Sequence, residues 1–171
     1  MKAYKLFRMK KGKLYPLYVL SNKETPIGEW VLAESGELQS NGKVKAKLGN
    51  GLAYRPGWHC STLPTCQHIG KKMADGSLAR REDNVWAEVE VSSYMDYNDL
   101  ARENGWRAGK WAAVRACLKD IPVCGWYYYK TNAKQIEPWI ICGAIKVNRI
   151  LSEEEVEQIC REHNVEAQKL A

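Results

Sequence analysis

Apolar and polar positions alternate most cleanly in NVWAEVEVSSY. Val85, Ala87, Val89 and Val91 fall on one side, and Trp86, Glu88 and Glu90 on the other. A period of two marks a strand with one buried face. Two earlier runs, Ala3 to Met9 and Lys13 to Leu20, are rich in Tyr, Leu and Val and flank KKGK. They predict a hairpin with Gly12 in its turn. Pro16 lacks an N–H to donate, which puts the second run at a sheet edge or a bulge. IGEWVLA predicts a short strand. KVKAKL alternates basic and apolar residues, the pattern of an exposed strand with Lys43, Lys45 and Lys47 in a row on its wet face. GLAYRPGWHCST reads as a strand broken at Pro56-Gly57, LPTCQHIGKK as a short helix ending near Gly70, and ADGSLARRED as a loop. GWYYYK and PWIICGAIKV are β-rich, and the second is apolar enough to be buried on both faces.

Helical signals are fewer. Ser152 with Glu155 three residues on forms a capping box ahead of Val156, Ile159, Cys160 and His163, which fall at helical spacing. A C-terminal helix over 152–163 with one face docked on the core follows. Asn98 or Asp99 can cap a short helix ahead of Gly105. No strand–helix–strand alternation and no Gly-rich phosphate loop is present, which argues against a Rossmann or P-loop fold. The fold class is α+β: a mainly antiparallel twisted sheet, in one piece or two small ones, with the C-terminal helix packed on it. At 171 residues the chain fits a single domain. Within it lie a basic hairpin region (1–50), a core (51–150) and the closing helix.

Charge changes the picture by its distribution. Residues 1–50 carry ten Lys or Arg against four acids, 51–150 fourteen against ten, and 151–171 two against six. A basic N-terminal third points to phosphate-rich or acidic partners. Lys5, Arg8, Lys10, Lys11 and Lys13 crowd the hairpin, and Lys43, Lys45 and Lys47 add a second stripe. Trp106 and Trp111 lie among Arg102, Arg107, Lys110 and Arg115. Aromatics interleaved with cations suit base stacking or an interface anchor. No apolar run is long enough to span a membrane. The opening MKAYKLFRMKKGKLYPLY lacks the apolar heart of a signal peptide. A cytoplasmic protein with reduced thiols is the expectation.

The densest chemistry lies in RPGWHCSTLPTCQHIG. His59, Cys60, Cys66 and His68 are zinc-compatible by type, and a zinc-stabilised module is one reading. Their spacing does not make knuckles: His59 and Cys60 are adjacent and point to opposite faces of a strand. No metal is therefore assigned, and the cysteines are read as small buried hydrophobes. Adjacent residues cannot pair as nucleophile and base either, and Ser61 has no triad context.

Two resemblances can be stated. Gly57-Trp58-His59-Cys60-Ser61 followed by Thr65 to Gly70 resembles the middle strand and short helix of the ADP-ribosyltransferase-like superfamily, which includes the RNA 2′-phosphotransferases. That superfamily has an early strand bearing Arg or His, offered here by Arg8, and a late strand opened by Glu, offered by Glu137. The resemblance implies NAD+ as the substrate cofactor, with Arg8 and His59 or Ser61 holding it and Glu137 orienting the incoming nucleophile. Secondly, AYKLFR with GKLYPLYV, YRPGWH, and KTN followed by PWIICGAIKVNRIL resemble small protein modules of phages and mobile elements of gut Firmicutes. That implies an accessory protein that binds nucleic acid or a nucleoprotein such as a guided nuclease, as anti-CRISPR inhibitors do. The leading expectation is this basic binding protein, using Lys5, Arg8, Lys10, Lys11, Lys13, Lys43, Lys45, Lys47, Trp106, Arg107, Lys110 and Trp111. The alternative is an NAD+-using transferase.

Overall fold

A computed structural model describes residues 1–47, 49–107 and 117–171. Eleven strands and two helices are defined within them. They are β1 (Lys2–Lys10), β2 (Lys13–Tyr15), β3 (Trp30–Leu32), β4 (Trp58–Ser61), β5 (Lys71–Lys72), β6 (Leu78–Ala79), β7 (Asn84–Val91) and β8 (Met95–Asp96), then α1 (Asn98–Arg107), β9 (Gly125–Tyr129), β10 (Trp139–Cys142), β11 (Ala144–Ile150) and α2 (Glu153–Glu162). The class is α+β. Nine strands form one large sheet in the order β3-β11-β7-β1-β4-β10-β9-β8, with β2 also paired to β1, and β5-β6 form a small second sheet. All pairings between these strands are antiparallel except β8 with β9.

The sheet is built around β1. Its alternation sends Ala3 and Phe7 to one face and Tyr4 and Leu6 to the other, and all four are buried. On the first face Phe7 meets Cys60, Val89, Ile140, Cys142, Ile145 and Val147 in a cluster that contains no helical residue. Strands from both sides of β1 contribute to it. On the second face Tyr4, Leu6 and Trp86 pack against Val156 and Cys160 of α2. A third cluster joins Ala101 of α1 to Tyr127, Tyr129 and Ile141.

The capping box of α2 is formed: Ser152 Oγ accepts from Glu155 N–H, and the Glu155 carboxylate accepts from Ser152 N–H. The hairpin turns through Lys11 and Gly12, both with positive φ, and β2 stops at Tyr15, where Pro16 withdraws the next donor. β7 keeps the expected register, but its second face is not wet: Trp86 is buried beneath α2. The buried run PWIICGAIKV divides at Gly143 into β10 and β11. A Cβ at Gly143 would lie 2.1 Å from the carbonyl oxygen of Pro122, so the chain passes too close there for any side chain.

Three local expectations do not hold. KVKAKL is not a strand: only Val44 makes isolated bridges, to Leu38 and Leu52. The turns at Asn41 and Gly51 leave too little chain between them for a ladder, although Lys43, Lys45 and Lys47 are exposed. LPTCQHIG is not a helix. Pro64 has no N–H, Thr65 N–H turns back to the Leu63 carbonyl, and the Thr62 and Thr65 hydroxyls are drawn to Glu137 and to the Glu166 carbonyl. ADGSLARRED is not all loop, since Leu78–Ala79 pairs with Lys71–Lys72. Lys110, Trp111 and Arg115 lie outside the described residues; Trp106 and Arg107 form the end of α1.

Candidate functional site

The edge of β1 that faces away from β7 has two partners in succession. β4 meets it at Tyr4, opposite Ser61, and β2 takes over from Arg8 to Lys10. Between them, at Lys5 to Phe7, neither strand pairs with that edge. Gly57, at φ +122°, turns the chain into β4, and a Cβ there would lie 2.5 Å from Ile141 Cγ2. The fork opens into a cavity of about 310 Å³. Its walls come from β1 (Lys5, Leu6), the segments following β2 and β3, the residues leading into β4, and Trp139 of β10.

The walls are chiefly apolar, with a few polar groups converging on them. Lys5 Nζ donates to the His59 carbonyl at 2.9 Å and lies 5.2 Å from the Trp58 ring centroid and 5.5 Å from that of Phe7. Burial lowers the Lys5 pKa below the ordinary lysine value, and only the neighbouring thiols Cys60 and Cys142 oppose the shift. His59 is pushed down to about 3, first by burial and then by the Lys5 and Arg55 charges, against its ring contact with the Gly57 carbonyl. It is therefore a neutral imidazole at physiological pH. Arg55 donates to Tyr129 Oη at 2.9 Å and lies over that ring, while His59 meets the same ring edge-on. Trp58 and Trp139 are fixed by their indole N–H groups, the first donating to the Val31 carbonyl and the second to Thr131 Oγ1. His68 also lines the cavity, and its Nε2 is buried without a hydrogen-bond partner among the described residues. An orphan nitrogen of this kind costs free energy unless a bound group or water meets it.

The strands β1, carrying Arg8, β4, carrying His59 and Ser61, and β10, which Glu137 precedes by two residues, are side by side in that order. Compared with known protein families, curated proteins and solved structures, the chain matches none.

The individual side chains are less tightly assembled than their strands. His59 lines the cavity. Ser61 is buried in the sheet and Glu137 lies just before β10, its carboxylate taken by the Thr62 hydroxyl; neither is on the wall. Arg8 points away from the cavity, donating to the Ser21 carbonyl at 2.6 Å with its guanidinium over Tyr15. Lys5 stands where a β1 cation would be useful. In the sequence it is the one charged residue in AYKLF, a stretch otherwise apolar on both faces.

Of the expected binding cations, Lys5 is withdrawn into the cavity. Arg8, Lys10, Lys11 and Lys13 surround a shallow depression with Tyr15 and Asn22 at the hairpin end. Lys13 pairs with Glu24 at 3.2 Å, and Lys45 with Glu37 at 3.4 Å. Among the described residues no group of three or more His, Cys, Asp or Glu is placed to hold a metal. His59 and Cys60 follow the strand alternation, and the buried Cys66 packs with Tyr4 and Cys160. No described helix is long and apolar enough to cross a membrane.

Proposed function

We propose that the fork beside β1 binds NAD+ or a closely related dinucleotide, in the manner of the ADP-ribosyltransferase-like proteins that this sequence resembles. One observation carries the reading. The three strands on which that resemblance rests are immediate neighbours, and the cavity opens where the first two part. The wall chemistry fits such a ligand: Arg55 supplies positive charge for a pyrophosphate, and Trp58 and Trp139 supply flat apolar surface for a ring. The volume is at the lower end for small-molecule sites, so it suits one nucleotide half, with the other at the mouth. Neutral His59, its Nδ1–H donating to the Gly57 carbonyl, keeps Nε2 to accept a hydrogen bond without adding charge. Glu137, two residues before β10, is the carboxylate that the resemblance nominates for steering a nucleophile, since Glu24 and Glu34 of the wall are engaged by Lys13 and Lys23.

Calorimetric titration of the protein with NAD+, alongside an assay for nicotinamide release, tests this. The expected result is saturable binding that Trp139→Ala weakens by about tenfold or more, the loss of one aromatic contact of about 1.5 kcal/mol. Glu137→Gln should keep binding and lose turnover. Absence of binding at millimolar NAD+ overturns the reading.

A second reading has its own observation: among the described residues, the depression ringed by Arg8, Lys10, Lys11 and Lys13 has no acidic residue in its wall. There the protein meets the phosphates of a nucleic acid or of a nucleoprotein such as a guided nuclease, as an accessory factor of a phage or mobile element. Affinity in this reading falls steeply with salt, and reversing Lys10, Lys11 and Lys13 to Glu flattens that dependence by about three contacts.

A further inference from the structure

Among the described residues two lysines line the cavity, and their surroundings differ. Lys23 is exposed and bound to Glu34. Lys5 is in no ion pair among the described residues. Its Nζ makes a single hydrogen bond, to the His59 carbonyl, between two aromatic rings. The titratable groups facing it are the His59 imidazole and Cys60 thiol on β4 and the Cys142 thiol on β10. His59 is neutral at physiological pH, and Cys142 is held protonated by its hydrogen bond with Cys60 and by burial. Of the remaining charged groups on the walls, Arg55 is tied to Tyr129, Glu24 to Lys13 and Glu34 to Lys23. The Cys60 thiol beside it is pushed down by its hydrogen bond with Cys142 and by the Lys5 charge, yet burial outweighs that help and shifts Lys5 towards the neutral amine. A neutral amine lining a cavity is a nucleophile.

We propose that Lys5 is a reactive amine whose Nζ condenses with an aldehyde-bearing ligand in the cavity to form an imine. The amine lone pair attacks the carbonyl carbon. The carbonyl oxygen leaves as water, taking both amine protons, and a C=N bond replaces C=O; no oxidant or reductant takes part. The ligand class is a small aldehyde with an anionic group, such as an open-chain sugar phosphate, its charge met by Arg55 and its body by Trp58 and Trp139. This activity goes beyond dinucleotide binding and does not depend on it.

The test uses pyridoxal 5′-phosphate, an aldehyde carrying a ring and a phosphate, with the full chain at neutral pH. Borohydride trapping and peptide mapping then read out each lysine. Each unit by which an amine's pKa is lowered raises its neutral fraction about tenfold. Lys5 should therefore be labelled at least several-fold faster than Lys10 and Lys11, which are exposed on the same strand and turn. Lys5→Arg should lose that label and keep those of the hairpin. Should Lys5→Arg not fold, the relative rates in the unaltered protein decide alone. Labelling of Lys5 no faster than Lys10 or Lys11 overturns the proposal.

Discussion

Acidification should weaken the fold through His59. In the folded protein its pKa is about 3, against 6.5 for an ordinary histidine. The folded value lies below the unfolded one, so the contribution is intact above about pH 6.5 and is lost as pH falls from there towards 3. At about pH 4.5 nearly every unfolded chain carries a proton on this ring and few folded ones do. Linkage then gives a loss of about 2.5 kcal/mol between pH 7 and 4.5. The ring is partly open to the cavity, and water there would hydrate the imidazolium, so the loss should fall between about 1 and 2.5 kcal/mol. Urea unfolding at the two pH values, for the unaltered protein and for His59→Gln, measures it. The carboxylates titrate alike in both proteins, so the difference between their losses belongs to His59. Equal losses would falsify the assignment of a neutral, desolvated imidazole in the fork.

Other substitutions probe the scaffold. Gly57→Ala meets both a left-handed backbone and Ile141, so a loss of about 2 kcal/mol or more in chemical unfolding is expected; full stability would mean that the fork does not need that bend. Ser152→Ala removes the α2 cap and should cost about 1 kcal/mol, or about 2–4 °C in Tm, while an unchanged Tm would show α2 to be held by packing alone. Trp86→Ala empties the space between β7 and α2 and should cost about 3–5 kcal/mol, read by denaturant midpoint; a surface-sized effect would put that indole in solvent.

The strands of strongest period were legible because their pattern is local. Val85 to Val91 alternate as one ladder requires, and Ser152 with Glu155 completes its box within a single turn. What escaped was set by distant chain. Trp86 reads as the wet side of a strand until α2, some seventy residues later, lies over it. KVKAKL has the letters of a strand, but no partner of matching length reaches it. The cavity is assembled from segments that share no motif, around Leu17, Val31, Trp58 and Trp139, and its existence depends on where β4 departs from β1. The candidate strands could be named from their short motifs, yet which side chain of β1 would face the fork could not. Arg8 has the expected chemistry and Lys5 has the position. Only the register Tyr4 opposite Ser61 decides between them.

Strand β1 has every one of its partners later in the chain: β2 at once, β4 some fifty residues on, and β7 some eighty. As the ribosome delivers the polypeptide, this apolar segment emerges before its partners and waits. The hairpin with β2 can shield one end early and β4 can meet Tyr4, but the other edge of Ala3 to Phe7 stays unpaired until Val85 to Val89 have appeared. Such long sequence separations slow folding and leave an aggregation-prone stretch uncovered during synthesis. The lysines at positions 2, 5, 10, 11 and 13 then keep that waiting segment apart from its copies on neighbouring chains.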